Sequence, residues 1–335
     1  MNQNRIQTPH NVLDENGHVM EAGYSKKEVL HYDKSQVTAS RLRLKEWDYF
    51  FVGNKDYGLA ITIADNNYMG LAGFVFLDFK NQKKYDYTKM LFNARKHLNM
   101  PNQLLSGTVA YDSKDLSISY EYKFDQILIK AQARKLKGLE DATIDLTLNV
   151  LNDDHLVIVT PFEKKKAFYY NQKINHLAAS GYFTVGERRY SLDDNFGLLD
   201  WGRGVWTYDN TWYWSSASGK ENGHLIGFNL GYGFGNTEQA TENILYYDKK
   251  GHKIDEVHFH ISDDFISPWK VTSNDDSLYF DFYPIYDNHT NIDLFVIGQN
   301  AHQVFGEFKG YMRIDGEKIE VKSLFGFAEK VRNRW

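Results

Sequence analysis

Leu116-Ser117-Ile118-Ser119-Tyr120-Glu121 and Thr143-Ile144-Asp145-Leu146-Thr147-Leu148-Asn149 alternate apolar and polar residues with a period of two. That period puts every apolar side chain of a strand on one face and leaves the other face to water, the pattern of half-buried antiparallel strands. Toward the N-terminus the pattern changes. Tyr49–Val52, Gly58–Ala64 and Gly70–Leu77 are almost continuously apolar, separated by the turn residues Asn54-Lys55-Asp56 and Asp65-Asn66-Asn67. Strands of this kind are expected to be covered on both faces. Toward the C-terminus, strands are expected at Tyr182–Val185, Val205–Ser218, Leu225–Leu230, Ile244–Tyr247, Val257–Ile261, Leu278–Tyr283, Leu294–Ile297 and Gly310–Ile314. Asp315-Gly316 between two such runs signals a two-residue hairpin loop, and Glu15-Asn16-Gly17 signals a turn near the start. Residues 80–105 carry only a short helical pattern, over Tyr87–Leu98.

The chain therefore reads as all-β with little helix. So many strands leave edges that need closure, which favours two closed or nearly closed sheets. The expected division is an N-terminal arm at 1–30, a first barrel-like domain at 31–180 and a second at 181–335. Each half has a Trp-led aromatic strand followed by a Gly-containing apolar one, Trp47–Val52 with Gly58–Ala64 and Trp212–Gly219 with Leu225–Gly231, as an ancient duplication would leave.

Composition narrows the partners. Tyr, Phe and Trp number 23, 22 and 7 and together make 16% of 335 residues, which favours strands and a large apolar interior. Lys plus Arg is 39 against 44 Asp plus Glu, a net charge of −5 with neither half strongly basic, so no nucleic-acid partner is expected. With no Cys, disulfides, thiolate metal sites and a cysteine nucleophile are excluded. The first ten residues have no apolar signal core, and no run of about 18 apolar residues exists to span a membrane as a helix, so a cytoplasmic location is the expectation.

Four of the seven Trp residues fall between 201 and 214, in Asp200-Trp201-Gly202-Arg203-Gly204-Val205-Trp206 and Thr211-Trp212-Tyr213-Trp214-Ser215-Ser216. Read as a hairpin turning near Asp209-Asn210, the second arm puts Trp212, Trp214, Ser216 and Ser218 on one face. On the first arm Trp201 and Arg203 lie together, opposite Asp200 and Trp206. One reading makes Arg203 structural, paired with Asp200 or Glu242 under an indole lid. The other makes the segment a ligand pocket walled by Trp206, Trp212 and Trp214, with Arg203, Ser216, Asn229 and Asn243 as its polar groups. Glu242 and Asp200 are the candidate acid–base residues. Gly231-Tyr232-Gly233-Phe234-Gly235 has aromatic spacers and no helix after it, so it is a glycine-rich strand exit and not a phosphate loop. His258-Phe259-His260 is a metal half-site without a third ligand, and a solvated strand face is the simpler account. Neither metal nor cofactor is expected. GxSxG, HExxH and P-loop motifs are absent from the sequence.

The Asp200–Gly219 block, with Gly227-Phe228-Asn229-Leu230-Gly231 and Thr241-Glu242-Asn243, resembles the DUF2804 family. So do Pro268-Trp269, His302-Gln303-Val304-Phe305-Gly306, Gly326-Phe327-Ala328-Glu329 and Trp335 near the end, and Trp47-Asp48-Tyr49 and Thr62–Tyr68 near the start. The resemblance runs the length of the chain and brings no assigned activity with it. More distantly, the layout is similar to tandem lipocalin-type (calycin) barrel proteins, among them carotenoid hydratases, tocopherol cyclase and Diels–Alder cyclases. That likeness implies two antiparallel lipocalin-like barrels and an apolar substrate. Three functions are consistent with these residues: binding of a small apolar or aromatic ligand in a Trp-lined pocket; cyclase, hydratase or isomerase chemistry on an isoprenoid-like substrate; and carbohydrate binding or processing on exposed Trp faces.

Overall fold

The computed structural model describes residues 3–104 and 106–335, so Met1 and Asn2 of the expected arm and Leu105 of the 80–105 stretch lie outside the described residues. Among the described residues no helix reaches seven residues, and the chain forms two curled antiparallel sheets. None of those helices is long and apolar enough to cross a membrane.

Both large sheets solve the edge problem in the same way. In the first, the strands run outward from Leu44–Gly53 through Tyr57–Asp65 and Met69–Asp78 to Lys83–Phe92. The chain then restarts at the opposite edge, Gly107–Asp112, and works back until Phe196–Val205 pairs with Leu44–Gly53. The second sheet repeats the device: Glu317–Arg334 returns to pair with Asp209–Glu221, and its edges are the successive strands Lys250–Lys253 and Val257–His260. The last strand of each sheet thus fills the free edge of the first, and each curled sheet keeps a single seam between successive strands.

The near-continuous apolar runs are covered on both faces, as their pattern predicts. Phe50 and Val52 point into the core of the first sheet, while Phe51 packs with Leu198, Trp214, Phe305 and Phe327 in the layer between the sheets. The Asp315-Gly316 loop also forms, with both φ angles positive (51° and 88°) and Ile314 opposite Glu317.

Three expectations need correction. The 200–219 run is not a hairpin. Phe196–Val205 is flanked by Phe168–Val185 and Leu44–Gly53 in the first sheet, whereas Asp209–Glu221 is flanked by Glu317–Arg334 and His224–Tyr232 in the second. Both edges of each arm are already occupied, so residues 206–208 cross from one sheet to the other. The division placed at 180/181 falls inside the long strand Phe168–Val185, and the change of sheet comes at 206–208 instead. Nor does the Tyr87–Leu98 stretch make helix beyond one short turn at Ala94–Lys96. Tyr87 belongs to the strand Lys83–Phe92 and is fully buried, its hydroxyl donating to the Glu140 carbonyl at 3.1 Å.

Gly202 is required by a side chain on the neighbouring strand. It stands directly opposite Trp47, and a Cβ at Gly202 would lie 2.0 Å from Trp47 Cζ2. The indole lies across the bare backbone. Gly202→Ala should therefore cost about 1–3 kcal/mol in urea unfolding. Combined with Trp47→Ala the loss should be clearly smaller than the sum of the two single losses, since the clash has lost its partner. Additive losses would mean that the two residues are not in contact.

Candidate functional site

The strands that meet at the sheet junction enclose a cavity of about 290 Å³. Its first wall is the outer face of the first sheet, where register lines up side chains in rungs. Lys173, Asp200, Tyr49 and Thr62 form one cross-strand row; Asn171, Gly202, Trp47 and Ala64 form the next; Tyr169, Gly204 and Lys45 the third. Neighbours in a row are close enough to interact. The Trp47 indole reaches over Gly202, donates from Nε1 to Asp200 Oδ2 at 3.2 Å and stacks on Tyr169 at 6.0 Å.

The second wall comes from the second sheet. Trp214, Glu329 and Gln303 form one row, Asn210, Asn333 and Gln299 another. Trp206, on the crossing segment, stands edge-on to Trp47 (5.2 Å), Trp212 (5.9 Å) and Phe234 (4.8 Å). Trp335 completes the lining. The walls are thus largely aromatic, and the charged groups gather at one end.

There, Lys173 Nζ lies 3.1 Å from Asp200 Oδ1, 3.6 Å from Glu242 Oε2 and 4.0 Å over the Trp214 ring. Asp200 also accepts from Asn171 Nδ2 at 2.6 Å. Among the described residues Glu329 has no cation within salt-bridge distance, although Lys173 acts on it from farther away. It accepts from Trp212 Nε1 at 2.9 Å and from Gln303 Nε2 at 3.3 Å. Burial pushes its carboxyl up to about 7, against the lowering effect of those donors and of Lys173. Burial also raises Glu242, opposed first by Lys173. Lys45, at the far end of the cavity beside Tyr68, is pushed down to about 8 by burial and by Arg43.

Of the residues singled out from the sequence, Trp206, Trp212, Trp214, Asp200 and Glu242 line the cavity together. Asn229 supports them from behind: its Oδ1 accepts from Trp214 Nε1 at 2.7 Å and its Nδ2 donates to the Glu242 carbonyl at 2.9 Å. Asn243 holds the Gly231 N–H at 2.8 Å, and Ser216 donates to the Phe228 carbonyl at 3.2 Å. Arg203 is elsewhere. Strand alternation turns it away from Asp200 into the interior of the first sheet, where it pairs with Asp48 (3.0 Å) and Glu46 (3.6 Å) and lies 3.9 Å over Trp201. His258 and His260 sit on the exposed face of their strand, and among the described residues no group of three or more His, Cys, Asp or Glu could hold a metal.

The residues missed from the sequence are Lys173 and Glu329, with Trp47, Tyr49 and Gln303. One signal was available: the polar run Asn171-Gln172-Lys173 directly follows the aromatic run Phe168-Tyr169-Tyr170.

The raised Glu329 carboxyl has a consequence for stability. Between its ordinary value of 4.5 and about 7, the folded protein holds a proton that the unfolded chain has released. Unfolding free energy should therefore fall as pH rises through that window, by roughly 3 kcal/mol from this group. Glu329→Gln removes the titration. Urea unfolding at pH 5, 6, 7 and 8 should show the variant gaining on the parent by that amount as pH rises. A constant difference would show that Glu329 titrates normally.

In fold the chain is similar to several solved structures. A protein described as an AttH, from Nitrosomonas europaea, superposes with a TM-score of 0.56 at 13% identity, over 90% of this chain and 96% of its own. CghA gives 0.54 at 11% identity, over 87% and 88%, and kievitone hydratase from Nectria haematococca gives 0.54 at 12%, again over 87% and 88%. No curated relative matches in sequence. The family model described as Domain of unknown function (DUF2804) matches residues 3–335, and the chain belongs to that family.

Proposed function

We infer that the chain takes a small, largely aromatic or apolar ligand into the cavity between its sheets and exchanges a proton with it through Glu329. One observation carries this reading: in an aromatic-walled cavity of about 290 Å³, a buried carboxyl is held in place by two N–H donors, and burial pushes it up to about 7. A proton-transfer group works best when its pKa lies near the working pH. Glu329 meets that condition, and Trp212 and Gln303 fix its orientation.

The division of labour follows from the charges. Asp200 and Glu242 share Lys173, which ties both into an ion cluster, while burial pushes Glu329 up to about 7. Tyr49 accepts from Gln303 Nε2 at 3.1 Å, and that contact extends the array toward the ligand space. A hydratase is among the proteins that share this fold. Adding water across a double bond needs one proton given and one removed, and a single carboxyl near neutrality can do each in turn. The carbohydrate reading has less support, because the indole N–H groups of Trp47, Trp212 and Trp214 are already committed to protein acceptors and not free for hydroxyls.

The purified protein, incubated with a cell extract made up in D2O, should retain an aromatic or apolar compound detectable by mass spectrometry. The same compound or its product should carry deuterium. Trp206→Ala with Trp212→Ala should abolish retention, and Glu329→Gln should keep retention while losing deuterium uptake. Retention that survives the double Trp variant would remove the cavity from the account. Uptake unchanged in Glu329→Gln would remove the carboxyl.

A further inference from the structure

The polar groups of the cavity are strongly one-sided. At the deep end the fixed donors are already engaged: Trp47 Nε1 with Asp200, Trp212 Nε1 with Glu329, Trp214 Nε1 with Asn229, and Gln303 Nε2 with Tyr49 and Glu329. Lys173, the ammonium of that end, is shared between Asp200 and Glu242. Lys253 acts on Glu242 from behind, but its Nζ donates to the Thr241 carbonyl at 2.6 Å. Lys45 is four residues along the strand from Tyr49, about 13 Å away at the rise of a strand, and meets the Tyr68 hydroxyl at 3.4 Å. Among the described residues Trp206 Nε1 is buried without a partner, and this neutral N–H, with the Tyr49 and Tyr169 hydroxyls, does not offset Asp200, Glu242 and the Glu329 carboxyl.

An anionic group entering this end would meet Asp200, Glu242 and Glu329 with few donors to receive it. A cationic group would meet those carboxylates and, around them, the rings of Trp47, Trp206, Trp212 and Trp214. Indole faces attract cations, most strongly where water is excluded. Trp214 already serves Lys173 in this way at 4.0 Å. Asp200 and Glu242 already outnumber the ammonium between them, and a ligand cation would favour the ionised form of Glu329 and pair with it.

We propose that the deep end of this cavity selects ligands bearing a positive charge, an organic ammonium on an aromatic or alicyclic body, over neutral or anionic ligands of the same shape. The proposal rests on the cavity being the ligand site and adds the charge of the ligand to that reading.

Three probes of nearly one shape separate the cases: benzyltrimethylammonium, its neutral carbon isostere neopentylbenzene, and phenylmethanesulfonate. Each is titrated into the full chain, followed by tryptophan fluorescence and checked by calorimetry. The ammonium should bind roughly tenfold more tightly than the neutral isostere, and the sulfonate more weakly than both. In Glu329→Gln the ammonium should lose most of that advantage while the neutral probe keeps its affinity, which also shows that the variant is folded. Equal binding of ammonium and isostere, tighter sulfonate binding, or an ammonium advantage unchanged in Glu329→Gln would each overturn the proposal and leave the cavity reading intact. Binding of none of the three would overturn both.

Discussion

One buried ammonium ties the two sheets together. Lys173 and Asp200 stand opposite each other on adjacent strands of the first sheet, while Glu242 and Trp214 are brought by the second. A buried pair of charges costs desolvation that its own attraction hardly repays, but removal of one member leaves an uncompensated charge and is far worse. The first sheet on its own would keep the Lys173–Asp200 pair, but the second would have Glu242 without Lys173, the cation that acts on it most strongly. Docking of the sheets therefore has an electrostatic register as well as an apolar one. The apolar part is the Phe51, Leu198, Phe305 and Phe327 layer beside it.

That junction explains why an interior was legible in the sequence while its most informative segment was misplaced. Alternation in Leu116–Glu121 and Thr143–Asn149 and the double-sided runs at 49–77 read correctly, because face and burial depend on local period alone. Pairing does not. Phe196–Val205 and Asp209–Glu221 look like two arms of a hairpin, since they are aromatic strands joined by a short polar link. Whether such arms pair depends on which edges are already filled by strands more than a hundred residues away, and here Leu44–Gly53 and Glu317–Arg334 had filled them. The same long-range closure put Glu329 beside Trp214, a neighbour more than a hundred residues distant.

Arg203 shows a second limit of period-two reasoning. Alternation states that Arg203 and Asp200 face opposite ways but not which of them faces the cavity. The glycines carried that information. Gly202 and Gly204 share the face of Asp200; the bare backbone of Gly202 is where the Trp47 indole crosses toward Tyr169, and Gly204 lets the backbone of Phe168 come close. Space beside a strand was needed on the outer face, so the bulky cation belonged to the inner one.

The molecule consequently holds two buried ion clusters back to back on one strand, and they differ in completeness. Inside the first sheet, Arg203 directs its fixed fork to Asp48, close to Glu46, and to the carbonyls of Trp47, Gly202 and Pro101, while Tyr122 donates to the other Asp48 oxygen at 2.7 Å. A planar guanidinium with its donors matched is a rigid anchor, and it straps Pro101 over the sheet interior. On the outer face, a single flexible ammonium serves two carboxylates and a third, Glu329, has none, so burial drives that carboxyl toward its neutral form. A cluster with its donors matched holds its strand in place; the other, facing an aromatic-walled cavity, keeps a carboxyl whose charge burial disfavours.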